Sequence, residues 1–149
     1  MAEPAIGFRL KQFKAMFFTS PAVIQALDKG THRALMRFGQ YVRKGARHSI
    51  KSAPGPGEPG QPPHGHIGLL KSHIYYGFDP AQRSELIGPD LLGSSPYGET
   101  TIPEVLEEGG TVSHRRKPGD RHFAARPFMG PAFEAGKGKL DDFWRDSIS

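Results

Sequence analysis

An α+β fold is expected: a long N-terminal helix packed on a mainly antiparallel β-sheet, with a C-terminal helix, all in one domain spanning 1–149. Three observations predict it. Apolar residues recur at helical spacing from about 21 to 51. Short runs rich in Ile, Leu and Tyr, bounded by turn residues, follow from 67 to 126. An amphipathic pattern then closes the chain from Pro131 to about Ser147. A chain of this length can bury about 68–70% of its unfolded surface, enough for one core. Gly (19) and Pro (14) are numerous and the hydrophobic share is 36%, so the core is modest and the loops are long.

The elements divide into a segment 1–19, a long helix 20–52, a Pro/Gly loop 53–66, a β-rich core 67–126, and an arm with a helix 127–149. Residues 6–18, "IGFRLKQFKAMFF", mix apolar and basic residues without a clean period and read as a short strand or a short helix. In the next segment Ser20 suits a cap and Pro21 a first helical position. Val23, Ile24, Leu27, Ala34, Leu35, Phe38, Val42 and Ala46 then follow helical spacing, either as one helix or as two with a bend. Gly30, Gly39 and Gly45 weaken it by roughly 1 kcal/mol each relative to Ala.

"APGPGEPGQPPHG", residues 53–65, holds five Pro and four Gly and can be neither helix nor inner strand. "HIGLLKSHIYYGF" reads as a strand, "DPAQ" as a turn and "RSELIGP" as the return strand. Residues 90–101 are a loop. "IPEVLEEGG" is a short helix closed by glycine. "TVSH" is a strand, "RRKPGDR" a charged turn, and "HFAAR" runs extended into Pro127. Phe133, Leu140, Phe143 and Trp144 lie on or near one face of the last helix.

The net charge of +5 hides an asymmetry. Residues 1–52 carry ten Lys or Arg against two acids, whereas 53–149 carry ten against thirteen. Glu85, Asp90, Glu99, Glu104, Glu107 and Glu108 lie between 84 and 114, a stretch without Lys or Arg. Cysteine is absent, which removes disulfides, thiolate nucleophiles and Cys-ligated metals. No apolar run spans a membrane and no signal-peptide core is seen, so the chain reads as made and folded in a cytoplasm.

His64 and His66 form an H-x-H pair with His73 beyond. A metal centre needs three or four converging ligands, and these read instead as polar loop residues. No G-x-S-x-G, H-E-x-x-H, G-x-G-x-x-G or P-loop occurs. Glu107 and Glu108 are adjacent, about 100° apart on a helix, which is not a catalytic pair. Neither enzyme activity nor a cofactor or metal is expected. The cationic stripe Lys29, Arg33, Arg37, Lys44, Arg47 and Lys51 has three readings: a solvated face, a contact with the acidic stretch of a neighbouring copy, or sequence-nonspecific contact with DNA phosphates. Phe128 and Met129 read as core anchors or as part of a docking arm.

In order and spacing, "GLLK" (68–71), "EEGG" (107–110) and "RPFMGPA" (126–132) resemble the small neck proteins of tailed bacteriophages, the tail-completion or head–tail joining (virion morphogenesis) family. The resemblance covers most of residues 20–147. Glu108 departs from it, standing where the family often has an aromatic residue, and the 53–65 loop is richer in Pro and Gly than usual. The resemblance implies no catalysis. It implies a structural protein of the virion neck, forming a sixfold or twelvefold ring of copies of itself. Portal, adaptor or stopper proteins would lie on one side and tail-tube or terminator proteins on the other, with genomic DNA passing through and no membrane. A ring needs a head-to-tail contact. Arg33, Arg37 and Arg47 against Glu104, Glu107 and Glu108 of the next copy are expected to supply it, and Phe128, Met129, Phe143 and Trp144 to dock a neck partner.

Overall fold

The computed structural model describes residues 20–65, 68–90, 101–113 and 119–148. The expectations for residues 6–18 and His66, and for most of the 90–101 loop and the charged turn, lie outside them. Nine elements occur among the described residues: α1 (Pro21–Ser49), α2 (Leu69–Ser72), β1 (Ile74–Asp79), β2 (Ser84–Pro89), α3 (Ile102–Glu108), β3 (Gly110–Ser113), β4 (Asp120–Phe123), α4 (Met129–Lys137) and α5 (Leu140–Ile148). The class is α+β. The strands are all antiparallel but form two separate two-stranded ribbons, β1–β2 and β3–β4.

Helix α1 is continuous and is the spine of the fold. Pro21 opens it. Ser20 occupies the cap position, but its side chain makes no capping bond. Ala34, Phe38, Val42 and Ala46, spaced by four, are the buried stripe. The helix glycines are where neighbours come close. A Cβ on Gly39 would meet the Tyr76 ring at 2.9 Å, and one on Gly30 would touch the backbone oxygen of Ser147 at 3.7 Å. The propensity lost at Gly39 is thus offset by packing, whereas Gly30 makes only an ordinary contact.

The β1–β2 ribbon lies against one flank of α1. His32 stacks on Phe78 with centroids 4.5 Å apart, and the Arg43 guanidinium donates to the Ile74 carbonyl at 2.6 Å and lies over the Tyr76 ring. The strand begins later than the apolar run suggests. "LLKS" is a helical turn, with the N–H of Ser72 donating to the Gly68 carbonyl, because Leu and Lys favour helix and the consecutive β-branched and aromatic residues start at Ile74.

On the α1 side of this ribbon sits Glu85. Both carboxyl oxygens are shut from water by Gly39 and Tyr76, and neither has a hydrogen-bond partner. Arg43 is engaged elsewhere, and Arg83 reaches Asp28 instead at 3.3 Å. Burial therefore raises the Glu85 pKa above its ordinary value. The neutral form suits the fold, so its contribution is fully present below the ordinary carboxylate range and is lost as pH rises through the raised folded-state value. Glu85→Met is expected to stabilise the chain at pH 7 by about 1 kcal/mol and to flatten that part of the pH–stability curve. Denaturant midpoints measured from pH 4 to pH 8 check this, and equal slopes in both proteins would refute it.

The C-terminal part packs on the other flank of α1. The single helix expected from 131 is two, divided at Gly138, which forms the C-cap of α4. Gly136 lets α4 cross α1 closely, since a Cβ there would lie 2.7 Å from Val42 Cγ2. Phe133 meets Phe38 edge-on at 5.5 Å and Phe143 meets Tyr41 at 5.9 Å. The core cluster is Ala46, Ile50, Ile74 and Phe128, flanked by Leu70, Leu106, Met129 and Ala132. The Pro/Gly loop is closed at its stem by a Lys51–His64 bridge and at its tip by the Gly60 N–H donating to the Ala125 carbonyl at 2.8 Å.

Candidate functional site

Two of the segments that carry the resemblance meet in space. The first N–H groups of α4 have no partner within their own helix. The Glu107 carboxylate at the end of α3 takes three of them: it accepts from the N–H of Phe128 at 2.9 Å, Met129 at 3.0 Å and Gly130 at 2.7 Å. Two residues on, Gly109 has φ +71° and ψ −162°, a conformation open essentially to glycine alone. A Cβ there would lie 2.6 Å from the Ala125 nitrogen. Arg126 completes the joint. Its N–H donates to the Leu106 carbonyl, and its guanidinium donates to the carbonyls of Gly57 and Ala124, both at 3.1 Å. "EEGG", "RPFMGPA" and the Pro/Gly loop are therefore one interlocked unit.

This joint corrects several expected roles. Phe128 is 1% exposed, so it belongs to the chain's own core and offers no docking surface. Met129 is half-buried against that core. The segment around them is held to the body by Glu107 and Arg126 and does not leave the domain. Phe143 is half-buried against Tyr41, and of the four only Trp144 is exposed. Glu107 faces the α4 N-terminus, not a neighbouring copy. Glu104 closes a capping box with Thr101: its carboxylate accepts from the Thr101 N–H, and its own N–H donates to the Thr101 hydroxyl, both at 3.3 Å. "TIPE" is the capping-box signature and was the missed signal for this role. Glu108 remains exposed.

On the cationic side, Arg37 pairs within the chain with Asp146 at 3.8 Å. Arg33 is exposed and Arg47 half-buried, both on the face of α1 away from the buried stripe. The imidazole of His64 faces the Pro54 carbonyl and that of His73 the Leu69 carbonyl. Among the described residues no group of three or more His, Cys, Asp or Glu could hold a metal ion. Among them, too, no helix is long and apolar enough to cross a membrane.

The sequence reading also missed the outward face of the β1–β2 ribbon. Tyr75 and Leu86 stand on it at 51% and 79% exposure, next to Gly77 and Gly88, where a Cβ would meet nothing within 4 Å. The residues carried no clean signal for it: in "ELIGP" the charged Glu85 shares the inward face with Ile87 while Leu86 faces out, the reverse of apolar-in, polar-out alternation. Compared with protein-family models, with curated proteins and with solved structures, the chain matches none.

Proposed function

We propose that this protein is a structural subunit of a phage neck, a ring that completes the tail or joins it to the head, residing in the virion after assembly in the host cytoplasm. The resemblance suggests the reading. The observation that carries it further is the uncovered apolar face of the β1–β2 ribbon. Its strands pair only with each other among the described residues, which leaves both edges open. Open edges and large exposed apolar side chains are features that a protein partner covers. With Glu104 and Glu107 engaged within the chain, the ring contact falls to this ribbon, not to an acidic face meeting α1. The neighbours above and below are the portal-side and tail-side proteins of the neck.

The test mixes purified protein with phage heads and with tails that lack the neck ring, followed by electron microscopy. Ring density at a head vertex or a tail end is expected. Leu86→Glu should abolish that density while leaving thermal unfolding unchanged, because the side chain is solvated in the free chain. Absence of density on both particles with the unsubstituted protein would overturn the reading.

A further inference from the structure

We infer that the outer face of α1 is a binding surface for the phosphate backbone of duplex DNA. Stepping about 100° per residue, Lys29, Arg33, Lys44 and Arg47 fall within an arc of roughly 60°, and that arc lies opposite the buried stripe of Ala34, Phe38, Val42 and Ala46. They span about 27 Å of helix at 1.5 Å per residue. Elsewhere several of the described arginines have internal work. Arg37 pairs with Asp146, Arg83 with Asp28, Arg43 holds the Ile74 carbonyl and Arg126 those of Gly57 and Ala124. Lys137 pairs with Glu134 and Arg145 with Asp142. The four cations of the outer face have no such partner among the described residues.

A neighbouring copy is the other candidate occupant, and the geometry disfavours it. Of the three acids expected to meet this face, two are engaged in the chain itself, Glu107 on α4 and Glu104 on the start of α3, and Glu108 alone stays exposed; Glu85 is turned inward against α1. What remains is a linear array of cations on a rigid helix, which matches a regular polyanion. Arg and Lys on such an array contact phosphates without reading bases, so the binding is blind to sequence and steeply dependent on salt. The inference does not need the ring. Within a ring it would place α1 toward the genome.

Fluorescence anisotropy with two unrelated 25-base-pair duplexes, between 50 and 200 mM salt, tests it. Each phosphate neutralised contributes about −0.9 to the slope of log affinity against log salt. Four contacts therefore give a slope of about −3 to −4, a loss of roughly a hundredfold over that range, equal for both duplexes. Arg33→Gln with Lys44→Gln should reduce the slope by about 2, leaving a loss of roughly tenfold. Both positions are exposed on the helix, so an unchanged thermal unfolding curve verifies the fold of the variant. A slope identical in the two proteins, or no binding at 50 mM salt, would overturn the inference. So would a shift of the double variant from oligomer to monomer without any change in DNA affinity, which would give the face to a second copy. The head-and-tail microscopy reads ring assembly separately, so either proposal can fail alone.

Discussion

Phe128→Ala is expected to destabilise the chain by about 4 kcal/mol, within the range for emptying a buried aromatic site. The ring is 1% exposed and sits in one cluster with Ala46 and Ile50 at the end of α1 and Ile74 at the start of β1. Among the described residues it is the largest of the fully buried side chains, and the buried hydrophobic set around it is small. Leu70, Leu106, Met129 and Ala132 line the site from α2, α3 and α4, so four or more elements lose contact together and the cavity cannot collapse onto one of them. A urea titration should show the midpoint falling while the slope with denaturant stays the same. A docking role for Phe128 predicts something else: an unmoved midpoint, with the defect confined to binding of heads or tails.

How much of this was legible beforehand depends on the kind of signal. Helix α1 was readable because Ala34, Phe38, Val42 and Ala46 repeat every fourth residue and Pro21 marks the start. The hairpin turn at "DPAQ" was readable because Asp79 and Pro80 carry turn chemistry, and the Asp79 carboxylate does accept from the Ala81 N–H at 2.8 Å. That the ribbons do not merge was not readable, since ribbon pairing is a long-range choice and each strand is only four to six residues long. The break between α4 and α5 was visible as glycines at 136 and 138, but the pattern of Phe133, Leu140 and Phe143 ran across it.

The surface roles were the least legible, for a physical reason. Charge counts locate acids and bases along the chain but not the donors that claim them. "EE" at 107 and 108 reads as two surface carboxylates open to a neighbouring copy. The backbone turns one toward three N–H groups of a helix 21 to 23 residues away and leaves the other in water. Likewise "RPF" reads equally well as an arm or as an anchor until Arg126 is seen holding the Gly57 carbonyl 69 residues before it. Of the cationic stripe, Lys29, Arg33, Lys44 and Arg47 share one face of α1, Arg37 pairs with Asp146, and Lys51 lies past the end of the helix in a bridge with His64.

The Glu107 joint yields the second large effect. Glu107→Ala is expected to cost about 3 kcal/mol, because it strands donors at Phe128 and Met129 in a partly buried place and removes a charge from the positive end of α4. Hydrogen bonds to a carboxylate are stronger than neutral ones, and two oxygens are needed to serve three N–H groups. Glu107→Gln keeps the shape but only one accepting oxygen, so an intermediate loss is expected. Glu108→Ala is the control, an exposed carboxylate on the neighbouring position. Amide exchange at 128–130 should accelerate in Glu107→Ala ahead of global unfolding, since those protons lose their acceptor. The Phe128 ring is seated by the same backbone that Glu107 holds, so the two alanine variants should be less than additive when combined. A Glu107→Ala loss no greater than that of Glu108→Ala would mean that α4 is held by side-chain packing alone. Gly136 against Val42 and Ala132 against Gly45 would then be the contacts to break next.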